Sequence, residues 1–448
     1  MKFTPHTAED RRRMLERIGV ATVIDLFAAI PNDLRLRQPL PLPPPLSEPE
    51  ALQEASRLAA LNRHTSQLVC FAGAGAYDHY VPATVDAVIS RPEFYTAYTP
   101  YQPEVSQGTL QSIYEYQSLV CRLFEMEVAN ASMYDCASAL AETAHMVRDI
   151  TRRSRVVLSA GINPVWTEVI MTYARGLNIP LQTAALSDYT TELSGLNKLV
   201  DDDTAAVFIQ HPNFFGALEQ VESISKLCHE RGTLLVVAVD PISLGIVAPP
   251  GSYDADVAVA EGQALGLPLA YGGPYLGMMT TRRKFIRHLP GRLAARTADA
   301  QGRIGYVLAL QTREQHIRRE RATSNICTNQ ALCALAASVY LATLGRTGIR
   351  EIARQCLAKS HYLAAAIAAT PGFHVDLSIP FFNEFVVCTR PTAAEVVAAG
   401  IEYGILAGVD LGTFRSEWRN LLLVAVTERR TRSEMDAYVG FLRKEFGQ

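Results

Sequence analysis

The middle of the chain constrains the fold more than any other stretch. Between residues 155 and 262, short apolar runs alternate with helical patterns. "RVVLSAG", "IPLQTAAL", "TAAVFIQ", "TLLVVAVD" and "DVAVAEG" read as strands. "PVWTEVIMTYARGL" and "ALEQVESISKLCHERG" read as amphipathic helices, closed by Gly176 and Gly232. A run that is apolar on both faces must be covered on both faces. Strands of this kind, separated by helices, predict an α/β fold with a mostly parallel sheet between helical layers.

The flanks read differently. "TAEDRRRMLERIGV" predicts a helix capped by Thr7, and "TVIDLFAAI" a second short one ended by Pro31. "RQPLPLPPPLSEPE" is too rich in proline for a helix and reads as an extended linker, or as an arm lying across a partner. The tail offers two long helices, "TNQALCALAASVYLATLG" and "REIARQCLAKSHYLAAAIAA", then strand, helix, strand, helix. The expected domains are a helical arm with its linker over 1–60, a large α/β domain over 61–330, and connecting helices with a smaller α/β domain over 331–448.

Composition excludes some classes of function. A formal net charge of -3 argues against a nucleic-acid or anionic-membrane surface. No run approaches the ~20 apolar residues that span a bilayer, and the first residues lack the apolar core of a signal peptide. The eight cysteines are scattered without CxxC pairs, which reads as buried free thiols in a reducing compartment. A cytoplasmic protein is expected. The ten histidines show no metal-binding spacing, so no metal is expected.

Ligands of open α/β sheets gather at the carboxyl ends of strands. There lies "AEGQALGLPLAYGGPYLG", Ala260 to Gly277. In one large enzyme class such a loop carries the lysine that holds pyridoxal phosphate. Here Gln263 stands in that place, and an amide nitrogen is not nucleophilic. None of the six lysines follows a strand in a glycine-bounded loop. Leu265, Leu267, Leu269 and Tyr271 predict apolar filling around Gln263. Asp240 ends "TLLVVAVD", where an aspartate can pair with a pyridine nitrogen or simply cap the turn at Pro241.

Other stretches carry weaker signals. "QHPNFFG" suits a polar rim or plain turn chemistry. Ser132, Asp135 and Ser138 precede a helix of small residues, but Asp135 would repel an anion and reads as an N-cap. "AGAGAYDHYVP" lacks the context of a nucleotide loop. His316, Arg318, Arg319 and Arg321 form a basic cluster, read either as a solvated face or as a site for anions or a partner's acids. In "FYTAYTPYQPEVSQGTLQSIYEYQ", Tyr95, Tyr98 and Tyr101 crowd beside Pro100 and Pro103. A long polar-aromatic loop without periodicity reads as a substrate channel or an interface.

Seven stretches together resemble the P-protein of the glycine cleavage system: "YTPYQPEVSQGTLQS", "ANASMYDCASALAE", "QHPNFFGALE", "VAVDPISLG", "GLPLAYGGPYLG", "QTREQHIRRERATSNICTNQAL" and "FFNEFVV". They are most similar to the alpha subunit of its two-subunit form, and the likeness runs over essentially the whole chain. The resemblance implies the type I pyridoxal-phosphate-dependent transferase fold and an alpha-2 beta-2 assembly. It also implies that the beta subunit supplies the lysine and holds pyridoxal phosphate. Asp240 and Gln263 fall on the ring-nitrogen aspartate and the lysine, so they read as vestigial cofactor positions, with no cofactor and no catalytic residue expected in this chain alone. The implied reaction decarboxylates glycine and passes the aminomethyl group to the lipoyl arm of the H-protein. Tyr95, Tyr98, Thr99, Gln102 and Glu104 would be this chain's contribution to the partner's pocket or channel. Cys136 stands where the family leads us to expect glycine. The rival readings are a non-enzymatic scaffold that reuses the fold, and a lone pyridoxal enzyme using some other lysine.

Overall fold

The computed structural model describes residues 5–36, 38–322, 324–326 and 328–447. The chain divides into two compact units, Met1–Arg63 and His64–Gln448.

In the first unit the helix Ala8–Ile18 begins at a reciprocal cap. The Asp10 amide donates to Thr7 Oγ1 (3.1 Å), and the Thr7 amide donates to Asp10 Oδ2 (2.9 Å). A 3-10 turn over Val23–Phe27 follows. After the proline run comes a helix that the sequence reading did not anticipate, Glu48–Ala59, capped by the Ser47–Glu50 pair. None of these three elements buries a residue.

The second unit is built on a seven-stranded sheet. From one edge the strands are Val128–Ala129, Gly277–Thr281, Val257–Glu261, Leu234–Val239, Thr204–His211, Arg155–Ser159 and Leu181–Ala184. The last five pair in parallel, and Gly277–Thr281 runs antiparallel to both its neighbours. The period of two sorts their side chains into two cores. Val157, Val207, Val237 and Ala258 pack with Val120, Phe124, Ile224 and Tyr340 of the helices on one face. Val156, Phe208, Val236 and Val259 pack with Leu140, Val147, Ile170 and Ala174 on the other.

The tail forms a third core. It joins a four-stranded antiparallel sheet (Phe373–His374, Glu384–Thr389, Leu421–Ala425, Val409–Asp410) to the helices Ala393–Glu402 and Arg432–Phe446. The connecting helix Ala331–Ala368 has non-helical dihedrals at Gly345, where the sequence placed the break between two helices. This helix is long and apolar enough, by length and composition alone, to cross a bilayer, which corrects the sequence reading on that point. Half of its apolar window is buried inside the protein, with Cys333, Ala336, Tyr340 and Leu341 in the core beneath the sheet.

Three local expectations change. The helix Pro164–Leu177 runs through Gly176 and is closed by Asn178, which takes the left-handed conformation (φ 52°). The helix expected from Ala217 starts at Val221. Ala217 bridges to Phe381 instead, and the Leu218 amide donates to Pro380 O (2.9 Å). An antiparallel hairpin, Leu293–Ala298 with Ile304–Ala309, was not foreseen. Its first strand turns from buried to exposed along its length, so it shows no steady alternation to read. Of the cysteines, Cys70, Cys136, Cys228, Cys333 and Cys356 are buried and free, Cys121 and Cys388 are half-buried and free, and Cys327 lies outside the described residues.

Candidate functional site

The strand Val257–Glu261 delivers the chain into a 3-10 turn, Gly262–Ala264, with Gln263 at its centre. Gln263 is 1% exposed. Its amide group pairs with backbone as another strand would. The carbonyl accepts from the Tyr77 amide (2.8 Å), and the nitrogen donates to Tyr77 O (3.1 Å) and Leu267 O (2.8 Å). An amide can satisfy both a donor and an acceptor in this way; a lysine ammonium offers donors only.

The partner segment of Gln263 was not foreseen as part of this region. It is "AGAGAYDHY", a loop whose glycines looked at most like a loose phosphate turn. Tyr77 reaches across to donate its hydroxyl to Glu384 Oε2 (2.9 Å), and the Ala74 amide donates to Glu384 Oε1 (2.7 Å). Gly216, at the end of "QHPNFFG", must be glycine for this packing. Its φ is +85°, and a Cβ there would lie 1.8 Å from Glu384 O. The rest of that motif is spent on its own turn. Asn213 Oδ1 accepts from the Phe215 and Ala217 amides, and His211 Nδ1 accepts from the Glu219 amide (3.0 Å).

Filling around Gln263 comes partly from the residues expected. Leu265 and Leu267 are buried, but Tyr271 points outward and is 79% exposed. Tyr77 and Glu384 supply the bulk instead. The space left, lined by Gly75, Tyr77, Trp166, Asp240, Glu261 and Glu384 among others, is about 20 Å³. A water needs roughly 10–15 Å³, and a small-molecule pocket roughly 300–1,000 Å³. The space beside Asp240 is thus nearer to that of a water than to that of a small-molecule pocket.

Of the two roles the sequence offered Asp240, the structure shows the cap. Its Oδ1 accepts from the Ile242 amide (2.9 Å) and so caps the turn. Its Oδ2 is buried with no partner, and so is Nε2 of His79. Burial raises the Asp240 pKa above the ordinary carboxylate range, an effect opposed by the nearby His79. His79 Nδ1 lies 2.6 Å from Glu428 Oε2. Burial works against both charges of that pair. The pairing nevertheless raises His79 and holds Glu428 down to about 2. Lys359 donates to the Glu428 carbonyl, and no lysine lines the residual cavity.

The start of the helix Cys136–Thr151 is equally occupied. Asp135 is its N-cap, accepting from the Ser138 amide (2.7 Å), as expected. Glu261 Oε2 accepts from the Cys136 amide (3.1 Å), while its Oε1 accepts from the amides of Leu276 (3.0 Å) and Gln263 (3.2 Å). A free helix N-terminus attracts anions; here the chain's own carboxylate takes that place. Burial pushes Glu261 up to about 8 against these three donors, and Glu384 likewise to about 8. Cys136 is wholly buried, and burial raises its thiol.

The tyrosine loop lies elsewhere. None of Tyr95, Tyr98, Thr99, Gln102 and Glu104 lines the cavity beside Asp240. Tyr95 ends the short helix Pro92–Tyr95, and Pro103–Val105 forms a 3-10 turn. Tyr95 is 68% and Tyr98 79% exposed. What the loop does meet is the basic segment: the rings of Tyr101 and His316 lie 6.3 Å apart. Arg318, Arg319 and Arg321 of that segment are exposed.

Comparison with known proteins identifies the family. The family model of the glycine cleavage system P-protein matches residues 1–442. The chain is 52% identical to a probable glycine dehydrogenase (decarboxylating) subunit 1 of Chlorobium limicola, over 98% of this chain and 99% of that one. Among solved structures it is similar to glycine decarboxylase (P-protein) of the glycine cleavage system in inhibitor-bound form, with a TM-score of 0.90, 42% identity, and coverage of 99% of this chain and 100% of that one. The glutamate decarboxylase of Lactobacillus brevis shares the fold alone, with a TM-score of 0.66 at 13% identity over 92% of this chain and 95% of that one. The fold is thus that of the type I pyridoxal-phosphate enzymes, and the chain belongs to the glycine cleavage system P-protein family.

Proposed function

We propose that this chain is the subunit without cofactor in a two-subunit glycine decarboxylase. The observation that carries the reading is Gln263, a buried amide bonded on both sides where a lysine would have to be free. The cavity of about 20 Å³ and the Glu261 carboxylate bonded to the Cys136 amide support it, because they leave little room and no free amide there for a bound group. In this reading a beta subunit holds pyridoxal phosphate on its own lysine, in an alpha-2 beta-2 assembly in the cytoplasm. The cofactor supplies the electron sink that lets carbon dioxide leave glycine, and the aminomethyl group goes to the lipoyl arm of the H-protein.

This chain's share is then at its surface. Tyr95 and Tyr98 hold phenols that have no partner among the described residues. With Thr99, Gln102 and Glu104 they form the contribution to the partner's pocket or channel. Co-purification with a pyridoxal-carrying partner, with gain of glycine–bicarbonate exchange, is the expected result. A chain that stays solitary, or a pair without exchange, would overturn the reading. The scaffold alternative has no observation in its favour.

A further inference from the structure

Two surface features singled out in the sequence, the tyrosine loop and the basic segment, meet at one buried charge. Arg292 lies just before the hairpin strand Leu293–Ala298 and is 6% exposed. Its backbone carbonyl accepts from the Ala131 amide (2.8 Å), which fixes it to the main body. Its Nη2 donates to the Tyr101 hydroxyl (3.1 Å), and its guanidinium lies 5.4 Å from the centre of the Tyr101 ring. On its other side Nε is 3.7 Å from Glu314 Oε2, itself only 13% exposed at the side chain. His316 Nδ1 lies 3.6 Å from the same carboxylate oxygen.

We propose that Arg292 is a positioning residue for the reaction: it fixes Tyr101, and with it the loop that carries Tyr95 and Tyr98, against the segment that begins at Glu314. The proposal rests on the reading that this loop serves the partner's active site.

The physical case has three parts. First, a buried guanidinium is costly to leave unpaired; Nη2 of Arg292 is hydrogen-bonded to Tyr101, and Nε faces the Glu314 carboxylate at 3.7 Å, beyond hydrogen-bond distance. Second, between its ends the loop is buried at Pro100 and otherwise tied by few bonds to other elements. Its far end is clamped by Gln107, whose Nε2 donates to Pro103 O (2.7 Å) and Tyr306 O (2.9 Å) while its Oε1 accepts from the Tyr306 amide (2.9 Å). Its near end is the short helix Pro92–Tyr95. Between them the described backbone bonds are short-range, such as Ala97 to Phe94 and Tyr101 to Thr99. Tyr101 is the point at which a side chain from another element grips this stretch. Third, the held residue is not the exposed pair itself. Tyr95 and Tyr98 stay free while their neighbour is anchored, the arrangement expected when a loop is ordered in advance for a partner. Misplacing such groups by about an ångström can cost about a hundredfold in rate.

The test is a double-mutant cycle in the reconstituted two-subunit enzyme. It uses Arg292→Gln, the pair Tyr95→Phe with Tyr98→Phe, and all three together, with hydrogen exchange of residues 96–105 as a second readout. Arg292→Gln should lower glycine turnover about tenfold or more, raise exchange in the loop, and leave the subunits co-eluting. Added to the tyrosine pair it should cost little more, because both changes remove the same contribution. Multiplicative losses, or unchanged exchange in the loop, would overturn the proposal, since a merely structural arginine acts independently of the two phenols. If Arg292→Gln does not fold, Arg292→Lys and Tyr101→Phe carry the same test; Tyr101→Phe removes only the hydroxyl, and a few-fold loss in the same direction is expected. A silent tyrosine pair would sink the underlying reading of the loop. A damaging pair beside a silent or independent Arg292 would sink the tether alone.

Discussion

The region around Gln263 and the loop around Tyr98 are opposites. In the first, Gln263 and Glu261 are bonded within the chain, while Asp240 Oδ2 and His79 Nε2 lie buried with no partner among the described residues. Gln263 pairs with Tyr77 and Leu267, Glu261 holds the helix start, and Tyr77 with Glu384 fills the space. In the second, two phenols stand in solvent with their neighbour tied down by a buried arginine. Buried polar groups tend to find partners, and Gln263, Glu261, Tyr77 and Glu384 find theirs within the chain. The proposed function assigns this chain's contribution to the second region.

The sharpest way to break the contrast is to restore the lysine. Gln263→Lys leaves Tyr77 N–H without its acceptor and buries an ammonium at a position 1% exposed. A loss of about 3 kcal/mol in stability is expected, read as a lower denaturant midpoint, and soaking with pyridoxal phosphate should leave the protein colourless. A yellow, stable variant would show that the pocket is open after all. On the other side, Tyr95→Ala with Tyr98→Ala should lower turnover of the assembled enzyme roughly tenfold to a hundredfold while unfolding as the wild type does. Equal turnover would remove the loop from the account.

The pocket also carries a pH signature. Glu384 titrates near 8 when folded, above its ordinary 4.5, because it is buried. Stability tied to that proton is full below about 4.5 and is lost as pH rises through 8. Glu428 has the opposite sign. Burial opposes its charge, but His79 holds it near 2, so its share is present above 4.5 and lost only as pH falls through 2. Denaturant midpoints should therefore fall between pH 6 and pH 9, and Glu384→Gln should flatten that fall; an unchanged slope would contradict it. The smallest expected effect is at the helix start. Asp135→Ala should cost about 1 kcal/mol, the value of an N-cap, and should leave turnover unaltered if no anion sits there.

Much of this was legible in the sequence, for physical reasons. The parallel strands announced themselves because both their faces are buried, which leaves a continuous apolar run such as "AAVFIQ". Thr7 and Asp135 were readable as caps because a capping box is a local pattern. Gln263 was legible as a missing nucleophile. What closes the space around it was not, since Tyr77 lies 186 residues away and its loop carries no periodic signal. Arg292 was silent for the same reason: the first of the two arginines in "PGRLAAR" says nothing until the fold brings Tyr101 and Glu314 to it. The hairpin after it was missed because its alternation fades into solvent.

The central claim is that this chain holds no pyridoxal phosphate of its own and depends on a partner that does. It is tested most directly by borohydride reduction after incubation with pyridoxal phosphate, followed by peptide mass mapping of this chain alone and of the active complex. The account predicts that no lysine of this chain gains a pyridoxyl group in stoichiometric amount, while a lysine of the partner does. A stoichiometric pyridoxyl-lysine at Lys359, or at any of the other five lysines, would contradict it.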